Sequence, residues 1–72
     1  MTLMGRIGTV DFSASVEKEG EYSSWAVTFV GTNLDIDSNT VESTLWSRTE
    51  EAEADLRTFL SALGAVIESE KA

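Results

Sequence analysis

Residues 10–29, VDFSASVEKEGEYSSWAVTF, alternate between apolar and polar side chains on both sides of a central Glu19-Gly20 pair. This period of two is typical of half-buried strands, and a tight turn at Glu19 and Gly20 would fold them into a hairpin. In that register Ala14 faces Trp25, and the apolar side chains share one face. Because a slip of one residue would turn one strand's apolar set outward, the pattern specifies the register.

The composition predicts one small folded domain over residues 1–72. The chain has 72 residues, of which 42% are hydrophobic, an ordinary fraction for a folded protein. It contains no cysteine and no histidine. Disulfides and the usual zinc, thiolate and imidazole sites are therefore excluded, and stability has to come from packing.

The first two strands are predicted to be bent. We expect a loose lead-in over residues 1–5 and a first strand that begins near Arg6. The apolar residues that follow Gly31 have the opposite parity from those before it, which favours a kink at Gly31 and at Gly8, its partner in the hairpin. In the alternative, the chain leaves the sheet at Gly31 and a separate strand starts at Thr32.

A second hairpin is predicted around a turn at residues 38–39. It would place Ile36 opposite Val41 and Asp35 opposite Glu42. The first three strands then form a three-stranded antiparallel meander with a long, bent middle strand. In this register Leu45 belongs to the core face, and Trp46 shares the outer face with Glu42.

A C-terminal helix is predicted after Trp46. Ser47 followed by Glu50 matches a capping box, and Thr49 is a second candidate cap. Apolar residues then recur at spacings of three and four, which gives a stripe that would cover the sheet. The stripe consists of Ala52, Leu56, Phe59, Leu60, Leu63, Val66 and Ile67.

The end of this helix depends on Gly64. Either the helix continues through Gly64 to about Ser69, or Gly64 ends it and residues 65–69 form a short fourth strand. Because Val66 and Ile67 continue the helical stripe, we favour the long helix. The predicted fold is therefore α+β, in the order β-β-β-α, with one helix packed on one face of the sheet.

The negative charge has two interpretations: it keeps a small protein soluble, or it attracts a protein partner. Thirteen acidic and five basic residues give a net charge of −8. The basic residues are scattered singly along the chain, which argues against direct binding of nucleic acid, whereas a basic protein surface would be attracted. No apolar run approaches the ~20 residues that cross a bilayer, and the first residues do not resemble a signal peptide. We expect a cytoplasmic protein without a membrane partner.

No motif indicates a metal, a cofactor or an enzyme. Residues 35–39, DIDSN, resemble the opening of a calcium loop, but Thr40 stands where the loop needs glycine and Trp46 where it needs glutamate. Asp35 and Glu42 form the nearest pair of carboxylates, without an evident pocket or base nearby. We therefore expect a non-enzymatic protein that binds no cofactor and no metal.

The candidate partner-binding residues are acids and aromatic residues. The outer face of the sheet is predicted to be flat, with small side chains and an aromatic residue at each end, and such residues often anchor interfaces. Trp46 has a second interpretation, in which it folds under the start of the helix. The candidates are Tyr22, Asp35, Asp37, Glu42, Trp46, Glu50, Glu51, Glu53 and Asp55.

Two functions fit these features. The first is an acidic protein-binding module, most concretely a small inhibitor or regulator that occupies a basic, nucleic-acid-binding surface of a larger protein. Phage anti-defence proteins and bacterial immunity proteins are analogous cases. The alternative is a structural homodimer or assembly subunit, in which a sheet face or a strand edge pairs with a second copy.

Overall fold

A computed structural model describes residues 1–30 and 39–71 of the chain. The described residues form five strands and one helix: β1 (Thr2–Ile7), β2 (Val10–Glu19), β3 (Tyr22–Val30), β4 (Asn39–Glu42), α1 (Thr49–Ala62) and β5 (Val66–Lys71). The strands form one antiparallel sheet in the order β4-β3-β2-β1-β5. The predicted three-stranded meander is therefore wrong, although the α+β class is correct.

The β2–β3 hairpin has the predicted faces but a different turn. Glu19 pairs with Tyr22, so the turn is at Gly20 and Glu21, and Gly20 has the positive φ of 62° that such turns favour. Val16, not Ala14, is therefore opposite Trp25. Because the register differs by two residues, an even number, each side chain keeps its predicted face.

β1 corrects the prediction of a loose lead-in. It lies between β2 and β5, and Leu3 is fully buried against the core. Gly8, with φ of 62°, is in the turn between β1 and β2 and not at a bend within a strand. The predicted kink at Gly8 is thus wrong, and its partner Gly31 lies outside the described residues. Gly5, which has no side-chain carbon, interrupts the apolar alternation of Leu3 and Ile7 in β1 and so weakens the strand pattern of this segment.

β4 pairs directly with β3, which contradicts the predicted second hairpin. Val41 is opposite Val27 and Glu42 is opposite Ala26. The partners predicted for Val41 and Glu42, namely Ile36 and Asp35, lie outside the residues that the structure describes. Of the predicted turn at residues 38–39, Asn39 instead begins β4 opposite Phe29, and residue 38 lies outside the described residues.

One extra residue after β4 reverses the predicted faces of Leu45 and Trp46. Glu42 is opposite Ala26 and Trp46 is opposite Ser23, so three residues of this segment face two residues of β3. Such a bulge changes which side a following residue occupies. Trp46 consequently lies on the side of buried Ser23, and Leu45 lines the outer face.

The helix starts without the predicted capping box. Its N-cap position is Arg48, which makes no side-chain cap hydrogen bond, and Thr49 is the first helical residue. The Ser47 hydroxyl instead donates to Glu51 Oε1 at 3.2 Å. The 14-residue helix is shorter than a bilayer-spanning helix, and no helix in the described part of the chain is long and apolar enough to cross a membrane.

The helix ends at Ala62, before Gly64, so the favoured long helix is wrong. The alternative, in which a strand follows Gly64, is correct in kind, with the strand at Val66–Lys71. The Gly64 N–H donates to the Ser61 carbonyl and the Ala65 N–H to the Leu60 carbonyl, both at 3.0 Å. This is a Schellman motif, for which the φ of 75° at Gly64 is suited. The following residues pair with β1 as β5, and this pairing satisfies a strand edge that a longer helix would have left open.

The core lies between the sheet and α1. The sheet contributes buried apolar residues from three strands, and the helix contributes its predicted stripe up to Leu60. The Trp25 and Phe59 rings are 4.8 Å apart between centroids. The buried apolar residues are Leu3, Phe12, Ala14, Trp25, Val27, Ala52, Leu56 and Leu60. The core is thus on one side of the sheet.

Candidate functional site

The face of the sheet opposite α1, here called the outer face, is not covered by any described element. Strand alternation places small side chains outward in its centre, namely Ser13 and Ser15 of β2 and Ser24 and Ala26 of β3. All four are partly exposed, whereas their neighbours along the strands contribute to the core. The small outward-facing side chains expected from the sequence are therefore present in the centre of this face.

Exposed apolar side chains border this outer face. Tyr22 and Val30 are at the two ends of β3, Met4 is on β1 and Val66 is on β5. Their partners, Glu19, Asp11, Ser13 and Arg6, are outward-facing residues of the neighbouring strands. The exposed fractions of these apolar residues and of Leu45 are Met4 50%, Tyr22 49%, Val30 47%, Leu45 59% and Val66 62%. These exposed apolar side chains make the uncovered outer face the candidate interaction surface of the described part of the chain.

A small concavity lies at the end of the outer face near β4. It has a volume of about 160 Å³, and three glutamates from two strands border a floor of small residues. The lining residues are Glu17, Glu19, Ser24, Trp25, Ala26, Glu42, Ser43 and Leu45. Its carboxylates would attract a cationic group of a partner.

A larger concavity lies at the other end, where β1, β2, β3 and β5 meet. Its volume is about 360 Å³. Its lining combines apolar residues with two carboxylates, and consists of Met4, Gly5, Asp11, Phe12, Ser13, Val30 and Glu68. The outer face therefore has an acidic concavity at each end.

The structure separates the predicted partner-binding residues onto two sides of the molecule. Tyr22 and Glu42 lie on the outer face, opposite Glu19 and Ala26 respectively. The four helical acids, Glu50, Glu51, Glu53 and Asp55, are on α1, which packs on the other side of the sheet. Asp35 and Asp37 lie outside the described residues.

Two of the helical acids have intramolecular partners. Asp55 Oδ2 accepts a hydrogen bond of 2.7 Å from Nε1 of Trp25, which is 5% exposed. Glu51 accepts the hydrogen bond from Ser47. Asp55 thus satisfies the indole N–H of a core residue, and this structural role competes with its predicted role in partner binding.

Trp46 belongs to the side of the sheet that α1 covers. Its backbone N–H donates to the Ser23 carbonyl at 2.7 Å and its carbonyl accepts from the Ser23 N–H at 2.8 Å. Its Nε1 is buried and has no hydrogen-bond partner within residues 1–30 and 39–71. The prediction that Trp46 lies on the outer face is therefore wrong.

Sequence reasoning missed Glu17, Glu19 and Glu68 as candidate residues. Glu17 continues the outward alternation of Asp11, Ser13 and Ser15, so the signal for it was present in the predicted strand. Glu68 could not be found in this way because its position depends on β5, and the sequence pattern of that segment favours a helix.

Acidic clusters and paired hydroxyls are the described groups that bear on metal binding or catalysis. No group of three or more acidic residues in the described ranges is arranged to hold a metal ion. The Ser23 and Thr49 hydroxyls are 3.0 Å apart and bond to one another. Both carboxylates of the DIDSN segment lie outside these ranges.

Comparison with known proteins identifies no relative. The chain matches no protein-family model, no curated protein and no solved structure. The function of the protein has therefore to be inferred from its fold and from the chemistry of the outer face.

Proposed function

We propose that the protein is a non-enzymatic acidic module that binds a basic surface of a larger protein through the outer face of its sheet. The observation that carries this proposal is the uncovered outer face, on which exposed apolar side chains and carboxylates occur together. In its most concrete form, the module is an inhibitor or regulator that occupies a nucleic-acid-binding surface. The proposed compartment is the cytoplasm.

The size of the molecule supports an interface of ordinary extent. Its principal dimensions are 38 × 21 × 20 Å. One side therefore has an area on the order of 800 Å², which is about what one partner contributes to a stable interface. Residues such as Tyr22 and Leu45 would supply apolar contact area at the border of this face.

The charge supports a basic partner. At a net charge of −8, the module attracts positively charged surfaces from a distance and raises the rate of encounter. Glu17, Glu19 and Glu42 would then meet lysine or arginine side chains at the interface. A surface that binds phosphates already carries such side chains, so an acidic module competes with nucleic acid for it.

Affinity capture with three baits tests this proposal. The first bait is the unaltered chain, the second carries Glu17→Gln, Glu19→Gln and Glu42→Gln on the outer face, and the third carries Glu50→Gln, Glu51→Gln and Glu53→Gln on the helix. The two variants remove the same number of negative charges, and Asp55 is kept because it bonds to Trp25. Each bait is exposed to lysate of the native host, and the retained proteins are quantified.

We expect a basic protein to be retained by the unaltered chain and by the helix variant, and to be reduced at least about tenfold on the outer-face variant. Three exposed charge pairs of up to ~1 kcal/mol each are sufficient for such a loss. Equal retention by both variants would contradict the use of the outer face, and equal loss would show that only net charge matters. A partner without a basic surface would contradict the electrostatic argument.

The open edge of β5 favours a second candidate function, a structural homodimer. β5 is at the edge of the sheet and all six of its residues are exposed. Two copies could pair their β5 edges, although Glu68 and Glu70 oppose this by repulsion. Light scattering at low micromolar concentration distinguishes the two functions. A dimer that Ser69→Pro disrupts would support assembly, and a clean monomer would exclude it.

A further inference from the structure

A β-bulge between β1 and β5 shapes the larger concavity of the outer face. Met4 is opposite Ser69 and Gly5 is opposite Ile67, so Glu68 is the extra residue of β5. Glu68 lines the concavity. The bulge therefore places an additional residue, Glu68, between the two regularly paired parts of β5, and its carboxylate becomes part of the concavity.

The concavity combines apolar walls with carboxylates from two different strands. Met4 and Val30 are about half exposed, at 50% and 47%, within a volume of about 360 Å³. Asp11 of β2 and Glu68 of β5 supply the negative charge. A lysine or arginine side chain matches this combination, because its aliphatic stem covers apolar surface while its charged end stays near the carboxylates and water.

The protein's own Arg6 already approaches one of these carboxylates. Its Nε is 3.7 Å from Asp11 Oδ1, and the two side chains are 52% and 62% exposed. Such an exposed ion pair contributes little to stability and can be exchanged for another cation. Arg6 is thus an intramolecular competitor for a cation of the partner.

We propose that the larger concavity binds a lysine or arginine side chain of the partner, with its stem against Met4 and Val30 and its cationic end between Asp11 and Glu68. This inference rests on the proposed function, because it specifies which partner group enters the outer face. The smaller concavity is less suited to such a side chain, since Leu45 is the one large exposed apolar residue beside its three carboxylates.

Titration of the ¹⁵N-labelled full chain with small probes, followed by NMR, tests the inference. The probes are Nα-acetyl-lysine amide, Nα-acetyl-arginine amide and Nα-acetyl-norleucine amide, the last of which has a similar stem without the charge. We expect the two cationic probes to produce saturable shifts at the amides of Met4, Asp11, Val30 and Glu68, with Kd on the order of millimolar. Norleucine amide should bind at least about threefold more weakly.

Three variants provide the controls, and an unchanged amide spectrum elsewhere verifies that each is folded. Glu68→Gln and Asp11→Asn should each weaken binding of lysine amide by about two- to fivefold. Arg6→Gln should strengthen it by about twofold, because the competing cation is removed. A merely structural effect of these substitutions would not produce opposite changes in affinity.

Several outcomes would overturn the inference. These are equal binding of norleucine amide, the absence of saturable shifts, or lysine binding that is insensitive to both Glu68→Gln and Asp11→Asn. The proposed function is tested separately, because the three baits described above carry neither substitution. A fourth bait with Glu68→Gln that retains the partner at full strength would contradict the inference while leaving the proposed function intact.

Discussion

Individual acidic residues that look alike in the sequence have different roles in the fold. Asp55 occurs in the same acidic run as Glu50, Glu51 and Glu53, yet only Asp55 accepts the hydrogen bond from the buried Trp25 indole. Position on the helix explains the difference. Asp55 lies one turn before Phe59, whose ring packs against Trp25, so its carboxylate is within reach of the indole, whereas Glu50 is exposed.

We predict that Asp55→Ala lowers the free energy of unfolding by about 1 to 2 kcal/mol. The reason is that the Trp25 N–H would lose a charged acceptor in a partly buried position. Urea unfolding followed by tryptophan fluorescence measures the change. Asp55→Asn, which retains an acceptor oxygen, should recover part of the loss.

Glu50→Ala is the matched control, because it removes an exposed acid from the same helix. Its effect should stay below about 1 kcal/mol, the upper range for an exposed charge at a helix start. If Asp55→Ala and Glu50→Ala destabilised the protein equally, the hydrogen bond to Trp25 would not be important for stability.

Among the elements, β5 depends on one glycine in another strand. A Cβ at Gly5 would overlap the Val66 carbonyl oxygen, a backbone atom that cannot move without disturbing the pairing of β1 and β5. β5 therefore requires a glycine at position 5, although that position is more than sixty residues away in the chain.

We predict that Gly5→Ala destabilises the protein by about 2 kcal/mol or more, since overpacking costs ~1 to 3 kcal/mol and the obstacle here is backbone. Amide hydrogen exchange should show the largest loss of protection in β5. The control is Gly8→Ala, where φ is +62° but no atom lies within 4 Å of the added Cβ.

Gly8→Ala has only a conformational cost of about 1 to 2 kcal/mol. Its effect should concentrate in the β1–β2 turn. Selective loss of β5 protection in Gly5→Ala, but not in Gly8→Ala, would confirm the role of the close approach. Unchanged protection of β5 in Gly5→Ala would contradict it.

For the whole molecule, the excess of negative charge should limit stability at low salt. Thirteen acids and five bases act on a body whose longest dimension is 38 Å. The ion pairs Arg6–Asp11 and Arg57–Glu70 are exposed, so salt that screens them lowers the stability of the protein only slightly. Net repulsion is therefore expected to outweigh these attractions.

We predict that Tm rises when NaCl is increased from about 10 mM to about 150 mM, because the Debye length falls from ~30 Å to ~8 Å. Thermal unfolding followed by circular dichroism measures it. The variant with Glu17→Gln, Glu19→Gln and Glu42→Gln should have a higher Tm at low salt and a smaller salt dependence. A Tm that falls as salt increases would show that the ion pairs dominate.

Particular residues show how far the sequence could predict this structure. The faces of Phe12, Ala14, Trp25 and Val27 were correct even though the hairpin register was displaced, because alternation depends only on parity. The side of Trp46 was wrong, since a bulge of one residue reversed the parity after β4. For the candidate site, Tyr22 and Glu42 were placed on the outer face correctly.

Local pattern was sufficient for the two faces of the hairpin, the buried stripe of α1 and the absence of histidine and cysteine chemistry, because each is a property of neighbouring residues or of composition. Only the tertiary structure decided that residues 2–7 form a strand inside the sheet, that residues after Gly64 form a strand and that the acids lie on two sides of the sheet. These features depend on backbone pairing between distant segments, as between Gly5 and Ile67. The free edge of β1 gives the C-terminal segment hydrogen-bond partners that no local preference reveals.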